Sequence, residues 1–252
     1  MASSPIEQSF TAPDGAELVW YEVGEGSPVL LLHGLFSNAH TNWIKFGHAV
    51  EIASRGFRII MPDLRAHGAS AAPHDAASYP ADVLVQDAKA LIDHLELEEF
   101  DLGGFSLGAR TVAGMLIDGV RPRRAVLAGM GLEGLTGWGR RRDFFVTAIE
   151  RRAEASRGDP HWLAIQFMKT MKIDVDAARL LLASPSELDP AKLGGIDVPT
   201  LVVCGSEDHD NGSAEALAGE VPGARFVEVP GTHMSSVTKP ELGRAIADFL
   251  AA

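Results

Sequence analysis

Residues 100–117 read FDLGGFSLGARTVAGMLI, and this stretch decides the fold. A short strand pattern, Asp101-Leu102-Gly103, runs into GFSLGA and then into the helical run Arg110 to Ile117. The G-x-S-x-G at Gly104 to Gly108 therefore falls at the junction of an expected strand and an expected helix. A serine hydroxyl is a poor nucleophile unless it is held exposed beside a base, and a sharp strand-to-helix turn holds it so. Glycines on either side let the backbones approach. A helix that starts at Ser106 also aims free N–H groups at the place where an oxyanion develops, with the Leu107 N–H best placed to donate. The competing reading is a glycine-rich turn that happens to contain a serine; the flanking strand and helix weigh against it. Ser106 is the candidate nucleophile.

Outward from this turn, strand-like and helix-like runs alternate, the pattern of a mostly parallel sheet covered by helices on both faces. Toward the N-terminus, Asp82 to Leu97 reads as an amphipathic helix, Phe57 to Met61 as a buried strand and Asn42 to Arg55 as a helix stopped by Gly56. Val29 to Leu32 is wholly apolar, as a strand buried on both faces would be, and it ends at His33-Gly34-Leu35. The Leu35 N–H at that strand end is the candidate second oxyanion donor, while the His33 side chain reads as satisfied by backbone. Glu7 to Thr11 and Glu17 to Val23 flank the turn sequence Ala12-Pro13-Asp14-Gly15 and read as an edge hairpin. Toward the C-terminus, strands are expected at Val126 to Ala128, Leu201 to Cys204 and Arg225 to Val229, with a last helix from about Lys239 to Leu250. Eight strands result. Between the sixth and the seventh, Gly131 to Pro190 carries helical patterns and no strand, too long for an ordinary connection. The expected organisation is a core of residues 1–130 and 191–252 interrupted by a helical cap, 131–190.

A chain of 252 residues, 46% of them hydrophobic, buries one full core. A net charge of −12 argues against nucleic acid, whose binding draws on clustered Lys and Arg, so the expected partner is a small molecule. The start, MASSPIEQSF, has neither a basic end nor an apolar run, and no stretch is long and apolar enough to span a membrane; a cytoplasmic, soluble protein is expected. The single cysteine, Cys204, sits in an apolar run and reads as a small core residue.

HGLFSN, PDLRAHGAS, GFSLGA, LVVCGSED and PGTHM follow one another in an order that closely resembles the α/β-hydrolase family over nearly the whole chain. The resemblance implies an eight-stranded α/β-hydrolase fold and a triad in chain order serine, acid, histidine: Ser106, Asp208 after the strand ending at Cys204, and His233 after the strand ending near Val229. Among nine histidines only His233 follows the last strand; His209 adjoins the acid, and His67, His74 and His161 read as loop residues. For the acid, Asp210 and Glu133 remain alternatives to Asp208. Ala66 departs from the glycine common at its position. Asp208, His209 and Asp210 diverge from one another as consecutive residues, so no metal is expected, nor any cofactor. The run Arg140-Arg141-Arg142 reads as a solvated helix face, although it could attract an anionic substrate.

Nucleophile, base and oxyanion donors together imply hydrolysis of a small ester with an apolar acyl group. The cap would roof the site with Trp138, Phe144, Phe145, Trp162, Phe167 and Met168, a minority of which, Trp138 and Phe145 foremost, would touch substrate. Lactones, thioesters and carbon–carbon bonds of ring-fission diketones use the same machinery, and a slow-turnover receptor is the reading from another class. Epoxide hydrolases and dehalogenases of this fold use an aspartate nucleophile, which Ser106 disfavours.

Overall fold

The computed structural model describes residues 5–252. Eight strands form one sheet: β1 Ile6–Thr11, β2 Glu17–Val23, β3 Ser27–Leu32, β4 Phe57–Pro62, β5 Asp101–Phe105, β6 Ala125–Ala128, β7 Thr200–Gly205 and β8 Arg225–Val229. Their order is β1-β2-β4-β3-β5-β6-β7-β8. Only the pairings made by β2 are antiparallel. The expected hairpin is there, closed by the Ala12 N–H donating to the Ala16 carbonyl and the Gly15 N–H donating to the Ala12 carbonyl, both at 2.8 Å, with Gly15 left-handed at φ +89°.

The helices are α1 His48–Ala53, α2 Val83–His94, α3 Leu107–Ile117, α4 Leu132–Thr136, α5 Trp138–Glu150, α6 Trp162–Thr170, α7 Val175–Leu182, α8 Ala214–Glu220, α9 His233–Ser236 and α10 Pro240–Leu250. Alternation along β3 shows how they cover the sheet. Leu30 and Leu32 face the core shared with α2, α3 and α8, whereas Val29 and Leu31 face the core shared with α1 and α10. Central strands buried on both faces must be apolar throughout, which is why β3 reads as an unbroken run.

Two boundaries differ from the sequence reading. Asn42 to Arg55 is not one helix: a π-helical turn, His40–Ile44, is followed by Gly47 at φ +83°, and α1 begins afresh at His48. The left-handed glycine resets the chain direction within an otherwise helical hydrophobic pattern. The helix expected from Asp82 to Leu97 is shorter at both ends, since Asp82 and Glu96 are themselves left-handed. Ala66 also takes φ +64°, a conformation that costs a residue with a Cβ about 1–2 kcal/mol. Its loop is held by buried Arg65, whose guanidinium pairs with Asp87 on α2 at 2.7 Å and with Asp14 of the hairpin turn at 2.5 Å.

Four helices, α4 to α7, and no strand lie between β6 and β7. Their buried residues, among them Leu135, Ile149, Ile165 and Leu181, belong to the same core as α2 and α3. The segment therefore packs onto the sheet's helical layer without a separate core of its own. No helix among the described residues is long and apolar enough to cross a membrane.

Candidate active site

Ser106 sits at the turn between β5 and α3 with φ 53° and ψ −113°, well outside the regions that L-residues ordinarily occupy. Its N–H donates to the Ala128 carbonyl at 2.8 Å and its carbonyl accepts from the Arg110 N–H at 2.9 Å, so the strained residue is fixed from both sides. The two glycines of the motif make the approach possible. A Cβ on Gly104 would lie 2.3 Å from the Gly108 carbonyl carbon, and one on Gly108 would lie 2.2 Å from the Leu32 carbonyl oxygen. Both obstacles are backbone and cannot swing aside. The close stacking of α3 on β3 and β5 thus presents Ser106 at the C-terminal edge of the parallel strands, where loops from other strands converge.

Two of those loops bring the other candidates. β7 ends in a turn closed by the Asp208 N–H donating to the Gly205 carbonyl at 3.0 Å, which leaves the Asp208 side chain buried. His233 opens α9, a single turn whose N-cap, Thr232, exchanges hydrogen bonds with Ser235 in a capping box. The His233 ring lies against Phe105 at 5.0 Å between centroids. Its Nδ1 is 2.8 Å from Asp208 Oδ2 and its Nε2 is 3.0 Å from Ser106 Oγ. Burial alone would push the Asp208 carboxyl up. The hydrogen bond and charge of His233, helped by the Cys204 thiol donating to the same Oδ2 at 3.4 Å, outweigh it and hold the carboxyl below its ordinary value. An ionised Asp208 accepts only, so it fixes the proton on Nδ1 and leaves the Nε2 lone pair facing Ser106.

The alternative acids are elsewhere. Glu133 Oε2 accepts from the Ser213 N–H at 2.8 Å and makes no bond to His233. Asp210 is exposed; its N–H donates to Asp208 Oδ1 at 3.2 Å, which steadies the acid. Asp208, Asp210 and His233 do form a cluster with ligand-type atoms within 4.8 Å of one another, but Asp208 and His233 are already engaged with each other. Of the other histidines, His209 is exposed, His74 pairs with Asp174 and His161 with Asp159.

His33 and His67 work on the loop after β3. Burial pushes His33 down to about 4 and His67, also facing the His33 ring, down to about 3, so both are neutral near pH 7. His33 Nε2 accepts from the Leu64 N–H at 3.0 Å, and His67 Nε2 accepts from the Phe36 N–H at 2.9 Å. Asn42 Oδ1 accepts from the Gly34 N–H at 3.0 Å. Gly34 and Phe36 are therefore spoken for, while the Leu35 N–H between them has no partner. The Leu107 N–H, first of α3, has no intrahelical acceptor either. Leu35, Leu107 and Ser106 line one narrow cleft, so the two free donors and the hydroxyl share a space.

That cleft is completed by Trp138, Arg141 and Phe145 of α5 with Arg110 of α3. Trp138 is mostly packing: it is buried, and its Nε1 donates to the Leu182 carbonyl at 3.2 Å. Phe145 is half-buried and stands edge-on to Phe36. On the other side of Ser106 and His233 opens a larger cavity of about 190 Å³, with Phe46, Phe167, Met234 and Val237 among its walls. Of the six cap residues expected to line a pocket, Trp138, Phe145 and Phe167 do; Phe144 packs on His161, Met168 is core and Trp162 borders neither cleft. Phe46 and Val237 escaped the sequence reading because they lie outside the motifs, and Met234 because only the histidine of PGTHM carries recognisable chemistry. Arg141 was misread: Arg140 and Arg142 are exposed, as a solvated face requires, but Arg141 between them turns into the Ser106 cleft.

Comparison with known proteins agrees with this architecture. The family model of the alpha/beta hydrolase fold matches residues 27–134. A thermophilic esterase from Thermogutta terrifontis superposes with a TM-score of 0.71 at 26% identity, covering 98% of each chain. The AB hydrolase superfamily protein YisY of Bacillus subtilis (strain 168) is 38% identical over 87 residues, 34% of this chain and 31% of its own. 2-Hydroxymuconate semialdehyde hydrolase from Pseudomonas sp. (strain CF600) is 34% identical over 110 residues, 43% of this chain and 38% of its own. The chain spans about a third of the length of these curated relatives. The sheet order, the strand-to-helix serine and these likenesses together show an α/β-hydrolase fold, and residues 27–134 are similar to that family's model.

Proposed function

We propose that this chain is a serine hydrolase that cleaves small carboxylic esters, with Ser106 as nucleophile, His233 as general base and Asp208 as the orienting acid. The observation that carries the reading is the relay Asp208 to His233 to Ser106 at 2.8 and 3.0 Å, ending at a strained serine beside two unpaired N–H groups. As Ser106 Oγ attacks the carbonyl carbon, its proton passes to His233 Nε2, and the imidazolium so formed is stabilised by Asp208. The carbonyl oxygen takes the negative charge and accepts from the Leu35 and Leu107 N–H groups; one such donor is worth about 3–4 kcal/mol in the transition state. The carbon–oxygen bond then breaks and the leaving alcohol carries away the proton from Nε2. Water, deprotonated by the same nitrogen, attacks the acyl-enzyme and restores Ser106.

Residues 131–190 act as a cap on the core of residues 1–130 and 191–252, contributing Trp138, Phe145 and Phe167 to the clefts around Ser106. The apolar cavity suits an uncharged substituent of the ester. No step in this scheme calls on a metal or cofactor. The kinship with a semialdehyde hydrolase makes carbon–carbon bond cleavage the second reading, since the same relay serves it.

A fluorophosphonate probe should add one equivalent to the peptide carrying Ser106 and none to Ser106→Ala, and the parent should turn over p-nitrophenyl esters of two to six acyl carbons. Labelling at another serine would overturn the assignment. Labelling at Ser106 with turnover of a vinylogous diketone and of no ester would move the activity to the second reading.

A further inference from the structure

Arg141 lies in the first turn of α5 and is half-buried in the cleft that Ser106, Leu35 and Leu107 line. Its Nη1 donates to the Asp210 carbonyl at 2.9 Å, and its guanidinium carbon stands 5.2 Å from the centre of the Phe145 ring. The ring contact and the hydrogen bond together hold the guanidinium at the cleft. Its Nε and Nη2 have no protein acceptor among the described residues, and no carboxylate lies within salt-bridge distance. A second cation shares the cleft: Arg110, nine-tenths buried, lies under Trp138 and donates to the carbonyls of Gly134, Leu135 and Ser186, again with no ion-pair partner. Burial lowers the pKa of both groups from the ordinary arginine value and outweighs the more distant charges of Asp210 and Asp208 on Arg141 and of Glu187 and Asp82 on Arg110, none of which is in contact.

Removing a guanidinium from water without a carboxylate in direct contact is unfavourable, and in a chain of net charge −12 carboxylates were available to pair with it. Arg123, by contrast, is paired with Asp101 and Arg65 with Asp87. Building on the serine-hydrolase reading, we propose that the substrate is an ester bearing a free carboxylate, such as the monoester of a dicarboxylic acid, whose carboxylate is held by Arg141. Ser106 borders both clefts, so the ester carbonyl sits on its hydroxyl with the charged end toward Arg141 and the uncharged end in the cavity walled by Phe46, Phe167 and Val237. A bidentate pair in a half-buried site fixes orientation as well as adding affinity. It also lets an acidic protein accept an anion that its overall charge repels.

The test compares monoethyl adipate with diethyl adipate, which differ in one charge. The parent should favour the monoester in kcat/KM by at least tenfold, chiefly through KM, and the preference should shrink between 0.05 and 0.5 M salt, conditions of about 14 and 4 Å screening length. Arg141→Met should lower the monoester-to-diester ratio at least tenfold at an unchanged melting temperature. Equal kcat/KM for the two esters in the parent, or an equal loss on both in Arg141→Met, overturns the proposal and makes Arg141 a brace for the Asp210 loop. Calorimetry on Ser106→Ala separates this from the reading beneath it. Monoethyl adipate should bind Ser106→Ala and not Ser106→Ala/Arg141→Met. Binding with that dependence but no turnover of any ester by the parent would keep the anion site and discard the hydrolase. Absence of binding to Ser106→Ala, with ester turnover intact in the parent, would do the reverse.

Discussion

Asp208→Asn changes one atom at the far end of the relay, and the surroundings of the side chain decide which way the new amide points. Asp208 Oδ1 accepts from the Asp210 N–H at 3.2 Å, whereas Oδ2 faces both His233 Nδ1 at 2.8 Å and the Cys204 thiol. The amide oxygen of the variant keeps the Asp210 bond, so its NH₂ faces the histidine. A donor there requires an acceptor on Nδ1, which moves the ring proton to Nε2. That proton then points at Ser106 Oγ, 3.0 Å away, and the nitrogen that should accept the serine proton no longer has a lone pair free. The expected loss is roughly 10³- to 10⁴-fold in kcat, equivalent to about 4–5.5 kcal/mol of barrier. The assay is p-nitrophenyl acetate turnover at pH 8 alongside the rate of fluorophosphonate labelling, with a melting curve to confirm that the fold survives. Glu133→Gln and Asp210→Asn should remain within about tenfold of the parent, because the first holds the Ser213 N–H and the second meets Asp208 through its backbone. All three variants lose one carboxylate at constant size. An Asp208→Asn enzyme within tenfold of the parent, or a crippled Glu133→Gln, would refute the assignment of the acid while leaving Ser106 and His233 in place.

Stability should fall with acid earlier than carboxylates alone would dictate. His33 is held down at about 4 and His67 at about 3, chiefly by burial, so below pH 6.5 the unfolded chain binds protons that the folded chain refuses. Their contribution is complete above pH 6.5 and is lost as pH drops toward 4, with a slope approaching about 2.7 kcal/mol per pH unit near pH 5. Urea unfolding at pH 7, 6 and 5 measures it, and a flat profile would show that these rings are not kept neutral by the fold. Burial, with the charge of Asp208 beside it, pushes the Cys204 thiol up to about 12. Ellman's reagent at pH 8 should therefore find no thiol in the native protein and one in 6 M guanidinium; rapid native reaction would contradict the burial of Cys204 and its bond to Asp208.

What the sequence discloses about this site depends on how local the cause is. Ser106 is legible because its strain, its two glycines and the free Leu107 N–H arise within five consecutive residues between a strand and a helix. The apolar run of β3 and the long gap between β6 and β7 are legible for the same reason. Asp208 and His233 are local only to their own turns, and their partnership is made by the strand order that sets β7 and β8 beyond β5. Chain order within a resembling family supplied that pairing; no spacing rule does. The break at Gly47 was hidden because the hydrophobic pattern on either side stays helical while one left-handed residue turns the axis. Arg141 was hidden because three consecutive arginines look alike on paper, yet successive helix positions point about 100° apart and only the middle one faces Ser106.

The Leu35 donor shows the least local cause of all. Its N–H is free not through any property of Leu35, but because Asn42 takes the N–H before it and His67 takes the N–H after it. His67 does so from a second loop, which is braced in turn by Asp63, whose oxygens accept from the N–H groups of Ala39 and Ala69. Each brace is a buried polar side chain spent on backbone, and each would read in isolation as a satisfied core residue. A preorganised N–H pair needs such spending, because a flexible loop would turn its donors to one another or to water and lose the advantage at the moment the oxyanion forms. The histidines at 33 and 67 therefore bear on the chemistry while touching none of it: neutral, fully buried and bonded through Nε2, they keep the loop in the one arrangement that leaves Leu35 unpaired.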